Sequence, residues 1–234
     1  MANRVLDPML TDRFAQALAF ANAVHARQQR KSTMIPYVSH VLGVASLVLE
    51  HGGDEDTAIA ALLHDAPEDQ GGYEMLAEIK ARFGDRVAKI VEGCTDTFED
   101  PKPDWLTRKE KYLAHLADSQ NGADLATCIV SVADKLHNAR SILHDLRNRV
   151  SVGVKVFERF NTPQEQQGWY FGRLARVLHE RLAGEDAEAL AVALLHAIDD
   201  IGAHNGCYSF AKGVASGFHG EPCPPNKEKG TERP

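Results

Sequence analysis

The amino-acid sequence predicts an all-α protein that folds as a single helical domain. Apolar residues recur at helical spacing through most of the chain, as at Phe14, Ala17, Leu18, Ala21 and Val24, which indicates amphipathic helices. No segment sustains the alternation of polar and β-branched residues that is typical of strands. Of the 234 residues, 44% are hydrophobic and 25% are charged, which favours an ordinary soluble globular domain.

The predicted helices are bounded by turn-forming residues. Gly52 and Gly53 end the second helix, Asp54 can cap the third, and Gly84 separates the fourth from the fifth. An acidic loop with two prolines follows the fifth helix, and Pro163 begins the eighth. We predict helices over about residues 12–29, 37–50, 54–64, 73–83, 85–93, 107–116, 123–145, 163–182 and 185–201.

Residues 204–234 are rich in Gly, Pro and Lys and poor in large apolar side chains. This composition predicts a flexible tail after a domain that covers residues 1–203.

Charge and composition limit the class of protein. The chain has 33 acidic and 26 basic residues and a net charge of −7, so no global basic field for nucleic acid is expected. No apolar run approaches the roughly 20 residues that a membrane helix needs, and no signal peptide is visible. The four cysteines, Cys94, Cys128, Cys207 and Cys223, form no close pair, which argues against disulfides and a zinc ribbon. We therefore expect a cytoplasmic protein.

A cluster of ionisable residues directly follows the third apolar helix. Its sequence is His64-Asp65-Ala66-Pro67-Glu68-Asp69. Because His64 and Asp65 are adjacent, both reach one ion only at a helix end or on an exposed face. Imidazole combined with carboxylates suits Mn, Fe or Zn better than Ca or Mg.

Two distant residues can complete such a metal site. His40 lies at the start of the second helix, and Asp134 is a lone acid after an apolar run. A carboxylate inside a buried helix is costly unless it has a partner, and a metal ion supplies one. The sequence therefore predicts a divalent metal site formed by His40, His64, Asp65 and Asp134.

The ordered set of motifs resembles the HD superfamily and, more closely, the hydrolase domain of the RelA/SpoT family. The matching blocks, over roughly residues 10–180, are His25-Ala26-Arg27-Gln28-Gln29-Arg30-Lys31-Ser32, Pro36-Tyr37 before His40, His64-Asp65 with Glu68-Asp69, and Asp134-Lys135-Leu136-His137-Asn138-Ala139-Arg140-Ser141. The chain has no room for the synthetase and regulatory domains of the long members. It is therefore similar to the small alarmone hydrolases, including the animal form.

The resemblance implies an HD-domain helical bundle in which the four predicted ligands bind one Mn²⁺ that activates a water molecule. Glu68 and Asp69 would orient that water and transfer protons. The implied reaction removes pyrophosphate from the 3′ position of the nucleotide substrate, ppGpp or pppGpp, leaving GDP or GTP. The implied substrate-binding residues are Arg30, Lys31, Ser32, Lys135, Asn138, Arg140 and Ser141.

Several departures and alternatives accompany this interpretation. Ala66-Pro67 and residues 70–72 differ from the family pattern on the expected phosphate side, and the loop over residues 98–104 has no assigned role. One alternative is an HD phosphohydrolase of adenosine analogues of ppGpp or of NADPH. Another is an inactive nucleotide sensor, which has no need for Glu68 and Asp69.

Other residues receive ordinary structural interpretations. His25 is predicted to support the site rather than bind metal, and His137 and His144 are predicted to lie on a helix surface. Trp169 and Tyr170 are predicted to pack in the core. As an alternative to substrate binding, Lys135 could pair with a carboxylate such as that of Glu68.

Overall fold

The computed structural model describes residues 9–99, 101–148, 156–160 and 162–205. Within these ranges the chain is helical, and the only β pairing is an isolated antiparallel bridge between Gln29 and Pro36. This confirms the predicted all-α class. The α-helices are α1 (Asp12–Val24), α2 (Val38–Glu50), α3 (Glu55–Leu63), α4 (Ala66–Gln70), α5 (Gly72–Phe83), α6 (Asp85–Cys94), α7 (Trp105–Ala117), α8 (Leu125–Asn148), α9 (Gln164–Leu182) and α10 (Glu188–Asn205), with a short 3-10 helix at Val156–Arg159.

Helix α3 runs through the centre of the bundle. Every side chain over residues 58–63 is fully inaccessible, as expected for a helix that is apolar on all sides. Helices α1, α2, α6 and α8 surround it, and α9 and α10 pack on the far side of α8. Packing of α3 against these neighbours therefore fixes the position of its C-terminal end.

Capping residues set the ends of these helices. The Asp54 carboxylate accepts a hydrogen bond from the Thr57 amide at 3.0 Å, which confirms its predicted capping role. Gly84 adopts φ +95° between α5 and α6, a conformation that favours glycine.

The predicted end of α1 is wrong, the predicted bounds of α8 and α10 differ from the observed ones by two to four residues, and helix α4 was not predicted. Helix α1 ends at Val24 rather than near residue 29, because the next residues turn into a hairpin-like loop in which the Tyr37 amide donates to the Gln28 carbonyl at 2.9 Å. The segment after His64, which lies outside the predicted helices, forms the short helix α4. Proline is well suited to the first turn of a helix, where its missing N–H is not needed.

The sequence also predicted a flexible C-terminal tail, cysteines without disulfides and the absence of a membrane helix. Residues 206–234, which include Cys207, Cys223 and most of the predicted tail, lie outside the described residues, whereas residues 204 and 205 end α10. Cys94 and Cys128 are free thiols, as predicted. None of the described helices combines the length and hydropathy needed to cross a bilayer.

Candidate metal centre and cleft

The break between α3 and α4 places His64 and Asp65 together. Helix α3 ends at Leu63, and Asp65 immediately precedes α4, so the two adjacent side chains turn toward the same point. His64 Nε2 lies 3.0 Å from Asp65 Oδ2. The predicted condition for adjacent ligands, a helix end, is therefore met.

His40 on α2 and Asp134 on α8 reach the same point. His40 Nε2 lies 3.2 Å from Asp134 Oδ1 and 3.6 Å from Asp65 Oδ2. His64 Nε2 lies 3.8 Å from Asp134 Oδ1. His40 and His64 are almost wholly buried, and Asp134 is 6% exposed. The structure thus brings together the four side chains that the sequence singled out.

The chemistry of this group fits a divalent cation. His64 Nδ1 lies 2.9 Å from the Ala61 carbonyl oxygen, so Nδ1 carries the proton and Nε2 of the neutral ring carries a lone pair. Within the described part of the chain, Nε2 of His40 and of His64 is buried without a hydrogen-bond partner. Both atoms face carboxylate oxygens, which are acceptors only, so positive charge is required between them. The donor atoms of His40, His64 and Asp65 lie within 4.8 Å of one another and could hold a metal ion.

The electrostatics agree with this requirement. Burial disfavours the charged form of His64, but the carboxylates of Asp65 and Asp134 outweigh burial and raise the pKa of His64 well above its usual range. Burial likewise opposes ionisation of Asp134, yet Lys135 and the two imidazoles hold the pKa of Asp134 well below its usual range. The site therefore keeps its carboxylates ionised and stabilises positive charge between them.

Tyr37 and Asn138 donate hydrogen bonds to the two carboxylates of this group, those of Asp65 and Asp134. The Tyr37 hydroxyl donates to Asp65 Oδ2 at 2.5 Å, and the Asn138 amide donates to Asp134 Oδ1 at 2.6 Å. Burial first, then the negative charge of Asp65, raises the pKa of Tyr37, so the hydroxyl stays protonated and remains a donor.

Two sequence predictions are corrected around the same ligands. His137 is not a helix-surface residue, because its Nδ1 lies 3.0 Å from His40 Nδ1. Lys135 does pair with a carboxylate, as the alternative interpretation predicted, but its partner is Asp134, at 2.5 Å, rather than Glu68. Burial, and then the proximity of His40, lowers the pKa of His137 to about 4, so this imidazole is neutral near neutral pH.

Glu68 and Asp69 lie on α4, about one turn beyond Asp65. Each of the two carboxylates contacts a different polar side chain. The four side chains of His40, His64, Asp65 and Asp134 are called the metal group below. Lys102 Nζ lies 2.9 Å from Glu68 Oε1. The Gln28 amide donates to Asp69 Oδ2 at 2.7 Å, while Gln28 Oε1 accepts from His25 Nδ1, also at 2.7 Å. His25, 2% exposed, thus supports Asp69 through Gln28, which agrees with its predicted supporting role.

Partial loss of hydration raises the pKa of both acids on α4, of which Glu68 is half-buried and Asp69 more exposed. For Glu68 the next contribution is the charge of Asp96, and Lys102 opposes the increase. For Asp69 the next contribution is the charge of Asp65, and the hydrogen bond from Gln28 opposes it. Both carboxyl groups are thus shifted toward the range in which they exchange protons with a reacting group.

A cleft of about 680 Å³ opens beside Asp65, Glu68, Asp69 and Asp134, a volume within the range of small-molecule sites. Arg30 Nη2 donates to Asn138 Oδ1 at 2.7 Å, which links the predicted substrate residues of the first and last motifs. Ser32 and Arg140 are exposed and lie outside the lining. The predicted substrate residues in the lining are Arg30, Lys31, Lys135, Asn138 and Ser141.

The cleft also contains residues that sequence reasoning missed as site residues. Lys109 lines it with its Nζ 2.5 Å from the buried Asp96 and 5.0 Å from the centre of the Tyr170 ring. Trp169 is buried, as predicted, whereas Tyr170 is both buried and part of the lining. Gln28, three residues after His25 in the first motif, and Tyr37, three residues before His40, are missed residues that the sequence pattern could have indicated.

An all-helical bundle in which a His, a His-Asp pair and a distant Asp meet beside a cleft defines an HD-type metal-binding fold. A sequence model described as the HD domain matches residues 17–162. The chain therefore belongs to the HD-domain family.

Within that family, several of its relatives are named as guanosine-3′,5′-bis(diphosphate) 3′-pyrophosphohydrolases, and others are named as GTP pyrophosphokinases. The guanosine-3′,5′-bis(diphosphate) 3′-pyrophosphohydrolase MESH1 of Xenopus tropicalis is 39% identical over 130 residues, which are 54% of this chain and 68% of that protein. The enzyme of the same activity name from Aquifex aeolicus is 38% identical over 142 residues, which are 58% of this chain and 18% of that protein. The chain thus spans only a small part of the long relatives.

Solved structures agree with this relationship. A metazoan ortholog of SpoT that hydrolyses ppGpp matches with a TM-score of 0.61 and 27% identity, over 86% of this chain and 99% of the other. A protein from Listeria monocytogenes EGD-e matches with a TM-score of 0.54 and 29% identity, over 66% of this chain and 96% of the other.

Proposed function

We propose that this chain hydrolyses the 3′-pyrophosphate of ppGpp or pppGpp, with Mn²⁺ as cofactor, and releases GDP or GTP and pyrophosphate. The observation that carries the proposal is the convergence of four side chains, the buried His40, His64 and Asp134 and the half-buried Asp65, beside a cleft that also contains a pair of acids and several cations. Membership of the HD-domain family and the activity named for its MESH1 relatives support it.

His40, His64, Asp65 and Asp134 would hold the cation. When bound, the cation supplies Lewis-acid activation of water and of a phosphate oxygen. Two imidazoles with two carboxylates favour Mn²⁺ over Mg²⁺ or Ca²⁺, which prefer shells of oxygen atoms alone.

Glu68 and Asp69 orient the attacking water and take its proton. They lie on α4, next to Asp65 and at the edge of the cleft. Their raised pKa values suit a group that accepts a proton from water and returns it to the leaving ribose oxygen. Lys102 and Gln28 fix the two carboxylates before substrate binds.

The cations in the cleft bind the phosphates of the substrate. Lys31, Lys135 and Arg30 line the same cavity, and a guanidinium can also stack on a purine base. The volume of about 680 Å³ accommodates a nucleotide with two diphosphate groups. A compact group of cations allows an anionic ligand although the whole chain is acidic.

The test is a product assay on protein stripped of metal and then supplied with Mn²⁺. Incubation with ppGpp is expected to release GDP and pyrophosphate, without inorganic phosphate, and the release is expected to stop when EDTA is added. Parallel reactions with the adenosine analogue ppApp and with NADPH define the substrate class.

A His64→Ala variant serves as the control, because it removes one ligand and leaves the cleft lining intact. Absence of ppGpp turnover by protein with bound Mn²⁺ would refute the proposed substrate. Phosphate release from NADPH alone would support the alternative phosphohydrolase.

A further inference from the structure

We propose that His137 is a positioning residue for the metal centre, and that Gly43 makes its position possible. In this role His137 Nδ1 accepts a hydrogen bond from the Nδ1–H group of His40 and so directs the lone pair of His40 Nε2 at the cation. The inference rests on the proposed metal centre but not on the identity of the substrate.

The contact between the two imidazoles is direct. His40 Nδ1 and His137 Nδ1 are 3.0 Å apart, and the ring centres lie 4.8 Å apart at an interplanar angle of 59°. His137 lies on α8, three residues after Asp134, so both residues lie on the same side of that helix. One face of α8 thus supplies a ligand and the support of a second ligand.

The proton between the two rings decides whether His40 can bind metal. If His40 Nδ1 donates to His137, His40 Nε2 keeps its lone pair and faces Asp65 and Asp134 at 3.6 and 3.2 Å. If His137 donates instead, a neutral His40 carries its proton on Nε2 and loses its ligand atom. Binding of a cation therefore requires His137 Nδ1 to be the acceptor, as is common for the partner of a metal-bound histidine.

Gly43 leaves the space that His137 occupies. It follows His40 by three residues on α2 and therefore lies on the same face. A Cβ atom at position 43 would be 2.3 Å from Cδ2 and 2.4 Å from Nε2 of His137, which is shorter than any van der Waals contact. The absence of a side chain at Gly43 on α2 thus leaves the space in which the His137 imidazole from α8 lies.

The experiment measures Mn²⁺ affinity by isothermal titration calorimetry on metal-free protein. His137→Phe keeps an aromatic ring but removes the acceptor, and it is expected to weaken Mn²⁺ binding by about 10- to 100-fold, the usual effect of losing a ligand's supporting hydrogen bond. His137→Asn places a carbonyl oxygen near the position of Nδ1 and is expected to bind within about threefold of the wild type. Circular dichroism verifies that each variant is folded.

Gly43→Ala supplies a second, independent variant. It is expected to weaken Mn²⁺ binding because the new methyl group displaces the His137 ring, and the weakening is expected to disappear in the Gly43→Ala/His137→Asn double variant, whose smaller side chain leaves room. This non-additivity is what direct contact between the two positions produces.

Two results would overturn the inference. One is a folded His137→Phe protein that binds Mn²⁺ as tightly as the wild type. The other is an Asn variant as weak as the Phe variant. Mn²⁺ binding is measured without substrate. The result therefore stands even if the wild-type protein does not hydrolyse ppGpp.

Discussion

Glu68 and Asp69 are sequence neighbours with different surroundings. Glu68 contacts the cation of Lys102, whereas Asp69 accepts a hydrogen bond from the neutral amide of Gln28. Each acid can therefore be altered separately. The paired acids are the part of the site whose chemical role is easiest to test one residue at a time.

Replacing the acids by amides is expected to abolish turnover and to spare metal binding. Glu68→Gln and Asp69→Asn each remove a proton acceptor without changing size, and loss of general acid–base catalysis typically costs about 10²- to 10⁴-fold in rate. The rate is measured with ppGpp at saturating Mn²⁺, and the Mn²⁺ affinity of each variant is the control. A variant with wild-type kcat would show that its carboxylate does not take part in proton transfer.

Replacing Lys102 is expected to change the pH dependence of the reaction. Lys102 lowers the pKa of Glu68, so Lys102→Met raises that pKa further, and the basic form of Glu68 is lost at a higher pH as the pH falls. The acidic limb of the kcat/KM profile therefore moves to higher pH. Lys102→Arg keeps the charge and is expected to retain the wild-type profile; equal profiles for the Met variant and the wild type would contradict the prediction.

Among individual residues, the sequence predicted those that belong to short local motifs. His40, His64, Asp65 and Asp134 stand in ordered motifs, and three of them directly follow or begin apolar helices. The contacts of His137 and Lys102 could not be predicted in the same way. Their partners are 97 and 34 positions away, and only tertiary packing determines such pairs.

Among the helices, α3 has the greatest influence on the site. It is enclosed by its neighbours, and the metal group begins at its C-terminal end. Its N-terminal cap and the candidate metal centre therefore lie at opposite ends of one buried helix.

Removal of the α3 cap is expected to destabilise the protein by about 1 kcal/mol, the usual cost of replacing an N-cap Asp by Ala. Asp54 accepts from the Thr57 amide and hydroxyl at 3.0 and 2.7 Å. Urea denaturation of Asp54→Ala measures the change in free energy of unfolding.

The matched control for this prediction is Asp54→Asn, which retains the cap but loses the exposed ion pair with Arg86. Such ion pairs contribute little, so this variant is expected to remain close to the wild type. Equal losses in the Ala and Asn variants would assign the effect to the ion pair instead.

The helices themselves were largely predictable because their apolar spacing and their glycine and aspartate boundaries are local signals. The end of α1 was not, because Tyr37 and Ile35 supply the backbone partners of residues 28 and 30 from beyond the loop. Helix α4 was missed because five residues, one of them proline, are too few to show helical spacing.

For the whole molecule, the metal group joins parts of the chain that are far apart in sequence. Its members come from α2, from the α3–α4 junction and from α8. A cation bound there would therefore link three separate parts of the helical bundle. Binding to the folded state alone stabilises it by mass action.

Mn²⁺ is therefore expected to raise the Tm of metal-free protein. At a concentration of about 100 times the Kd, the stabilisation is about 2.7 kcal/mol, or several degrees for a chain of this size. Thermal unfolding followed by circular dichroism measures the shift. His64→Ala is the control, in which addition of Mn²⁺ is expected to leave the Tm unchanged; an equal increase in both proteins would place the binding elsewhere.

The separate supports of the two acids have an evolutionary consequence. Lys102 belongs to the segment between α6 and α7, and Gln28 belongs to the segment between α1 and α2. A related sequence in which one of these segments is longer or replaced can change the pKa of one carboxyl group and leave that of its neighbour unchanged. The two connections thus set the acidity of two adjacent acids independently.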